Sequence, residues 1–360
     1  PRSESPNSST APLATSVTFS GNASIFVRKS SLWDDTSTYA ITHSLIDSYI
    51  LMYFSSPLIS TNGVTITLSS STSLHASAKL PNPGNESAVV ITGNNTLTLG
   101  GTNNIQDNTN GLSISSGSTL ISTAAIITGE TVSGAGHVII SDGTDKTDAV
   151  LGGITSTTSQ YTGNDNDSIT GTLPAAGTCT IKNTLTLGAN SLLNTSATYT
   201  IDGGKSLTGT AARLSGHEIN GTGQVIITAG GAAEAADLGE ITTTTSSYTC
   251  TDGDSITGTL PAAGTCTINN TLTLGANSLL NTNAAYVIVN NKTLTATAAR
   301  LDGHEISGGG KTEITALHGD QAAVLDSITT DDVTIPLTAA TVLNSTARLP
   351  LPEDKTVVVI

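Results

Sequence analysis

Charge is scarce in this chain, and aromatic residues are scarcer. Charged residues make up 11% of its 360 positions and aromatics 3%, with one Trp, one Met and three Phe. A wide globular core would have to be built from Val, Ile, Leu and Ala alone. A thin core between Thr-rich β-layers needs no large residues, because β-branched side chains suit a pleated, half-buried surface. Thirteen Lys and Arg stand against 28 Asp and Glu, for a net charge of −15. That balance leaves no basic footprint for a phosphate backbone and excludes a nucleic-acid partner. Long apolar runs are missing too. The longest, Ile50 to Phe54 with Leu45 and Ile46 before it, is broken by Asp47 and Ser48. It falls short of the roughly 18 apolar residues that a membrane helix needs, so no membrane span is expected. Low charge with a mean hydropathy of +0.07 also sets the chain apart from the highly charged class of disordered sequence. No stretch carries a sustained helical period, and Ala232 to Leu238 is the only helix candidate. A nucleophile elbow, a zincin motif and a P-loop are all absent.

What is present is repetition. Residues 167–223 recur at 254–310, offset by 87, with 45 of 57 positions identical. The same offset links Leu151 to Thr155, Leu238 to Thr242 and Leu325 to Thr329, and an older, worn copy precedes them. The expected organisation is an N-terminal cap or docking segment over 1–63, a divergent repeat over 64–150 and repeats over 151–237 and 238–324. A partial repeat over 325–360 follows. Within a unit the apolar residues alternate, as in Cys179/Ile181, Leu185/Leu187, Tyr199/Ile201 and Val225/Ile227, which is the period of a strand with one buried face. Gly, Asn or Asp follows every five to eight residues and marks turns. Four coils in 87 residues give about 22 residues per coil, a usual size for a β-solenoid rung. The fold class expected is all-β, an elongated parallel β-solenoid, in preference to a row of β-sandwiches with larger aromatic cores.

Residues 1–63 hold Phe19, Phe26, Phe54, Trp33 and Met52, bulk that suits the covering of an open solenoid end. A small separate adhesion or anchoring domain is the other reading, and Pro1 to Ala14 reads as a flexible lead-in. The chain starts at Pro1 without a signal sequence and is expected to be a mature, exported chain. Ten sequons, at Asn7, Asn22, Asn85, Asn94, Asn166, Asn194, Asn220, Asn269, Asn291 and Asn344, fit export, although Asn, Ser and Thr are abundant enough to produce many by chance.

An active site should be a constellation that occurs once, whereas residues copied at a spacing of 87 read as scaffold. His217-Glu218 beside Arg213 recurs as His304-Glu305 beside Arg300, and reads as a row of matched surface charges. Asp165/Asp167 and Asp252/Asp254 resemble D-x-D calcium turns. They lack the ligand count and glycine framework of such a site and read as turn residues. No catalytic residue, metal ligand or cofactor site is therefore named. Cys179 and Cys266 occupy equivalent positions and read as small buried hydrophobes. Cys250 and Cys266 are 16 apart, less than one coil, and a disulfide between them across a narrow core would leave Cys179 free or paired between subunits. No zinc spacing is present.

The near-identical 87-residue units, the Leu-Thr-Leu-Gly-Ala-Asn-Ser-Leu-Leu turns (185–193 and 272–280) and the Thr, Gly and Asn composition resemble the repetitive secreted β-solenoid surface proteins. These are adhesin stalks, surface fibres and the amyloid-like proteins of archaeal sheaths. The resemblance covers about 300 residues. It implies a structural, extracellular, self-assembling role at the cell surface or wall, without a cofactor. Two other functions are kept beside it: a glycan-binding or glycan-cleaving β-helix, and an ice-binding solenoid displaying Thr arrays such as Thr184-Leu185-Thr186 and Thr242 to Thr245. Residues 333–360 match 64–91 at 13 of 28 positions. The apolar strand Val357, Val358, Val359 and Ile360 is accordingly expected to be an assembly edge, joining a second copy head to tail. Cell-wall glycan is a further expected partner.

Overall fold

The computed structural model describes residues 64–352, apart from 77, 81–87, 102–104, 106–110, 142–147, 229–234 and 318–321, together with four short strands before residue 64. The chain divides into two compact units. One comprises Pro1–Ile139 with Gly153–Thr158, and the other Ile140–Gly152 with Ser159–Ile360. Both are parallel β-solenoids, as the alternation of apolar residues predicts.

In the first unit one sheet of six parallel strands runs in sequence order: Val17–Thr18, Thr38–Thr42, Val64–Leu68, Val89–Thr92, Leu112–Ile114 and Val132–Ser133. The described strands Val17–Thr18 and Thr38–Thr42 therefore share a sheet with strands after residue 63. The cap and lead-in expected for 1–63 otherwise lie outside the described residues. A second stack of Thr72–Ser73, Thr96–Thr98 and Thr119–Thr123 runs beside it, again parallel. Each coil takes the chain back to the same face about 20 to 25 residues on, because parallel neighbours need a full crossover between them.

In the second unit Gly177–Ile181 lies on Ala197–Ile201 in exact sequence order, from Gly177 opposite Ala197 to Ile181 opposite Ile201. Cys179, Ile181, Tyr199 and Ile201 point inward and are buried, while Thr178, Thr180, Thr198 and Thr200 face outward. Leu187 and Leu274, equivalent in sequence, are both buried. Each inward Leu or Ile contributes about 1.5–3 kcal/mol of burial, so the core is a column of mostly medium-sized side chains with Tyr161, Tyr199, Tyr248 and Tyr286 as its buried aromatics.

The faces are not fixed along the unit. Thr158–Tyr161 and Gly177–Ile181 open one face, and Asp167–Ile169, Leu185–Leu187, Ser206–Thr210 and Gln224–Thr228 form the next. Thr245–Tyr248 is the sequence counterpart of Thr158–Tyr161, yet it stacks on Gln224–Thr228. The same step recurs where Asp332–Thr334 stacks on Lys311–Thr315. The opening strand of each sequence copy thus continues the second face of the copy before it.

Helix is confined, among the described residues, to single turns at Ala124–Ile127, Ala211–Leu214 and Ala298–Leu301. Each follows a strand and buries an Ala and a branched residue, as in Ala211 and Leu214. They lie 87 residues apart and are too short to show a helical period. The expected helix at Ala232 to Leu238 is not formed where it is described: Asp237 makes a strand-like bridge to Thr259 instead.

Glycine is required where the chain crosses close over the coil below. Gly221 has φ +110° and Gly308 φ +105°, and a Cβ would stand 2.3 Å from the Ile201 carbonyl oxygen at the first and 2.4 Å from that of Ile288 at the second. Gly308→Ala should cost more than about 1 kcal/mol, whereas Gly303→Ala, with open space around it, should cost less despite its own positive φ. Equal losses in chemical denaturation would contradict this account of coil contact.

Candidate functional site

The residues that could carry chemistry sit at the turns between strands and serve to join coils. Asp165 lies in the turn before Asp167–Ile169. Its Oδ1 accepts the Thr184 N–H of the next coil at 2.8 Å, and Lys205, two coils on, donates to the carboxylate at 2.7 and 2.9 Å. Asp252 repeats the arrangement with the Thr271 N–H at 2.8 Å and Lys292 Nζ at 2.6 Å. The lysine hydrogen bond, then the backbone one, hold both carboxyls below their ordinary range. Asp167 and Asp254 turn the other way and accept the N–H groups of Asn164 and Thr251 within their own turns, at 2.8 and 3.0 Å. The D-x-D pairs sit in turns, the role read from the sequence, and Asp165 and Asp252 also clasp one coil to the next. Among the described residues no three His, Cys, Asp or Glu side chains converge on a metal-sized point.

His217 and Glu218 do not act together. Burial holds the pKa of His217 down, against the opposing pull of the Asn194 backbone; burial does the same at His304, where the Asn281 backbone and Asp302 oppose it. Nδ1 of each ring is buried without a hydrogen-bond partner. Glu218 lies on the outer side of its strand, where its carboxylate accepts from Thr198 Oγ1 at 3.0 Å. Arg213 and Arg300 are spent on the carbonyls of Ala189 and Ala276.

Sequence reasoning missed a buried bracket. Tyr199 Oη donates to the Pro174 carbonyl at 2.9 Å and accepts the Asn194 N–H at 2.9 Å; Tyr286 does the same with Pro261 and Asn281, at 3.0 and 2.9 Å. Burial raises both phenol pKa values. The available signal was the Leu-Pro pair at a fixed distance ahead of each Tyr. Asn194 is thus held by Tyr199 as part of the scaffold.

The disulfide expected between Cys250 and Cys266 is not formed; all three cysteines are free and buried. Cys266 lies opposite Ser246 on the strand Thr245–Tyr248, whereas Cys250 lies two residues beyond that strand's end, with its Sγ 3.9 Å from the Thr271 carbonyl oxygen. Desolvation pushes the thiols of Cys179, Cys250 and Cys266 up to about 11, so they remain protonated and inert. The assembly edge Val357 to Ile360 lies outside the described residues, and no described helix is long and apolar enough to cross a membrane.

Comparisons with protein-family models, with curated proteins and with solved structures find no match to this chain.

Two measurements follow from these environments. The folded His217 and His304 have depressed pKa values against the ordinary 6.5, so below pH 6.5 the unfolded chain binds protons that the folded chain refuses. Their contribution to stability is present above that pH and is lost as pH falls. The double variant His217→Gln/His304→Gln should show a flatter decline in melting temperature below pH 6.5 than the parent; parallel curves would contradict the assignment. A thiol reagent should find no reactive cysteine in the native chain and three after denaturation without reductant. Fewer than three would show a disulfide after all.

Proposed function

We propose that this chain is a structural protein of the cell exterior, an element of a wall, sheath or fibre, which polymerises head to tail through β-strand edges. One observation carries the reading: the ion pairs Asp165–Lys205 and Asp252–Lys292 recur in equivalent positions and clasp coil to coil. Asp165–Lys205 and Asp252–Lys292 each span two coils, and the Tyr199 and Tyr286 brackets repeat atom for atom. Catalysis needs groups held free for a substrate, and here the same groups are committed to backbone amides and to one another. A parallel stack also presents open N–H and C=O groups at each end, the arrangement that recruits a further strand.

The other two functions have less support. Glycan cleavage calls for two carboxyls facing one bond across a gap of about 5 to 9.5 Å, whereas Asp165 and Asp252 are tied to the next coil and Asp167 and Asp254 to their own turns. An ice-binding face calls for a deep, uninterrupted Thr array. The paired rows Thr178/Thr180 and Thr198/Thr200 give way on the next strand to Glu218 and Asn220. The hydroxyls of Thr198 and Thr200 donate to those two side chains.

Purified chain should form rings or filaments by negative-stain microscopy as its concentration rises, and deletion of Lys355 to Ile360 should leave monomers or short oligomers. A parent that stays monomeric, or turnover on a panel of acidic polysaccharides, would overturn the proposal.

A further inference from the structure

Function on a repeated scaffold should show as a difference between copies, and the chain carries one at the turn ahead of Asp167–Ile169. Tyr161 to Asp167 runs Tyr-Thr-Gly-Asn-Asp-Asn-Asp, and its counterpart Tyr248 to Asp254 runs Tyr-Thr-Cys-Thr-Asp-Gly-Asp. Both copies keep the aspartate that pairs with a lysine two coils on, Asp165 with Lys205 and Asp252 with Lys292. Both keep a second aspartate, Asp167 and Asp254, and among the described residues neither is in an ion pair. What differs is the third position of the turn and the asparagine of the next coil that faces it.

Asn183, in that next coil, is 1% exposed, and its side chain reaches into the first turn, where Nδ2 donates to the Asn164 carbonyl at 2.9 Å. Its Oδ1 is buried with no hydrogen-bond partner. Exchanging the two ends of the amide would set oxygen against oxygen at Asn164, so the orphaned atom is the carbonyl oxygen. Gly163 lies between this amide and Asp167: a Cβ there would stand 3.0 Å from Asn183 Nδ2 and 2.5 Å from Asp167 Oδ2. A carboxylate and a buried carbonyl oxygen, both acceptors, therefore meet over a residue without a side chain. A buried acceptor without a partner is rare and points to a bound water or ion. Beside a carboxylate that species is electropositive, and ligands that are all oxygen suit a hard cation. The second copy lacks the arrangement. Asn270 is only half-buried and turns its Nδ2 to Asp252 Oδ1 at 3.4 Å, and Cys250 carries a buried side chain where Gly163 has none.

We propose that the Asp167 carboxylate and Asn183 Oδ1 hold one calcium ion over Gly163, with water completing its coordination. The D-x-D turn is short of ligands on its own; the further one comes from the next coil, which spacing along the chain does not reveal. The ion ties the turn at 163–167 to the following coil, as Lys205 ties Asp165 to the coil beyond it. One carboxylate and one amide make a weak site, with half-saturation at about 10⁻⁴–10⁻³ M, the range of extracellular calcium modules. The site occurs once in the chain and does not depend on the self-assembly reading above.

The test titrates calcium chloride into the full, chelator-treated chain by isothermal calorimetry, with circular dichroism and thermal melting as the check on the fold. The parent should saturate at one ion per chain and melt at a higher temperature in millimolar calcium. Asp167→Asn and Gly163→Cys should each weaken binding about tenfold or more, whereas Asp254→Asn, the same change in the second copy, should bind as the parent does. Should Asp167→Asn or Gly163→Cys not fold, Asn183→Asp decides, because the added carboxylate should tighten binding and steepen the dependence of melting on calcium. Absence of saturable binding up to about 10 mM calcium, as when water alone fills the place, would overturn the inference. Equal weakening by Asp167→Asn and Asp254→Asn would reveal diffuse attraction to an acidic chain, and parent-like binding in the folded Gly163→Cys or Asp167→Asn variant would put the ion elsewhere; either result overturns it too. Head-to-tail assembly is read separately by microscopy, so its failure and the failure of this site are distinguishable.

Discussion

Everything in this molecule depends on parallel registration between one coil and the next. A parallel strand pair must be separated by a full crossover, and here that crossover is the coil itself, closing after about 20 residues on the same face. Once Gly177 lies opposite Ala197, the inward set Cys179, Ile181, Tyr199 and Ile201 is fixed, since a slip of one residue would turn every side chain outward. The same registration brings Asp165 within reach of Thr184 and Lys205. Polar clasps and apolar core are thus two outcomes of one backbone ladder. Exposed ion pairs add little to stability by themselves; their use lies in marking the register.

A fold of this kind makes small residues sufficient. Each coil needs a few medium-sized side chains to meet those of its neighbours, which is why 3% aromatic content supports a continuous core. The buried tyrosines are the exception, and Tyr199 and Tyr286 are buried with both hydrogen-bonding directions satisfied, as low-dielectric surroundings demand. The cost is that every buried side chain relies on the coil above it. Leu337, Leu343 and Leu351 are exposed among the described residues.

Much of this was legible in the sequence, because the determining signals are local. Alternation in Leu185/Leu187 or Val225/Ile227 gives strands with one buried face, turn residues close each strand, and the offset of 87 places equivalent residues in equivalent environments. The turn role of Asp165, Asp167, Asp252 and Asp254 followed from the same reasoning. Three features escaped it because they depend on contacts 20 to 40 residues away. The lateral step that puts Thr245–Tyr248 on Gln224–Thr228 has no local marker. The Tyr199–Pro174–Asn194 bracket joins residues from separate coils. The spacing of Cys250 and Cys266 suggested proximity, but Cys266 pairs with Ser246 while Cys250 lies beyond the end of that strand. The single-turn helices failed for the opposite reason: four residues are too few to carry a period.

The central claim is that copies of this chain join by extending the ladder that holds each one together. X-ray diffraction from aligned assemblies reads that directly. If the coils stack from molecule to molecule, the strand spacing of about 4.7–4.8 Å appears as a meridional reflection along the assembly axis. Ordered assemblies with that reflection on the equator, or with none near it, would contradict the account.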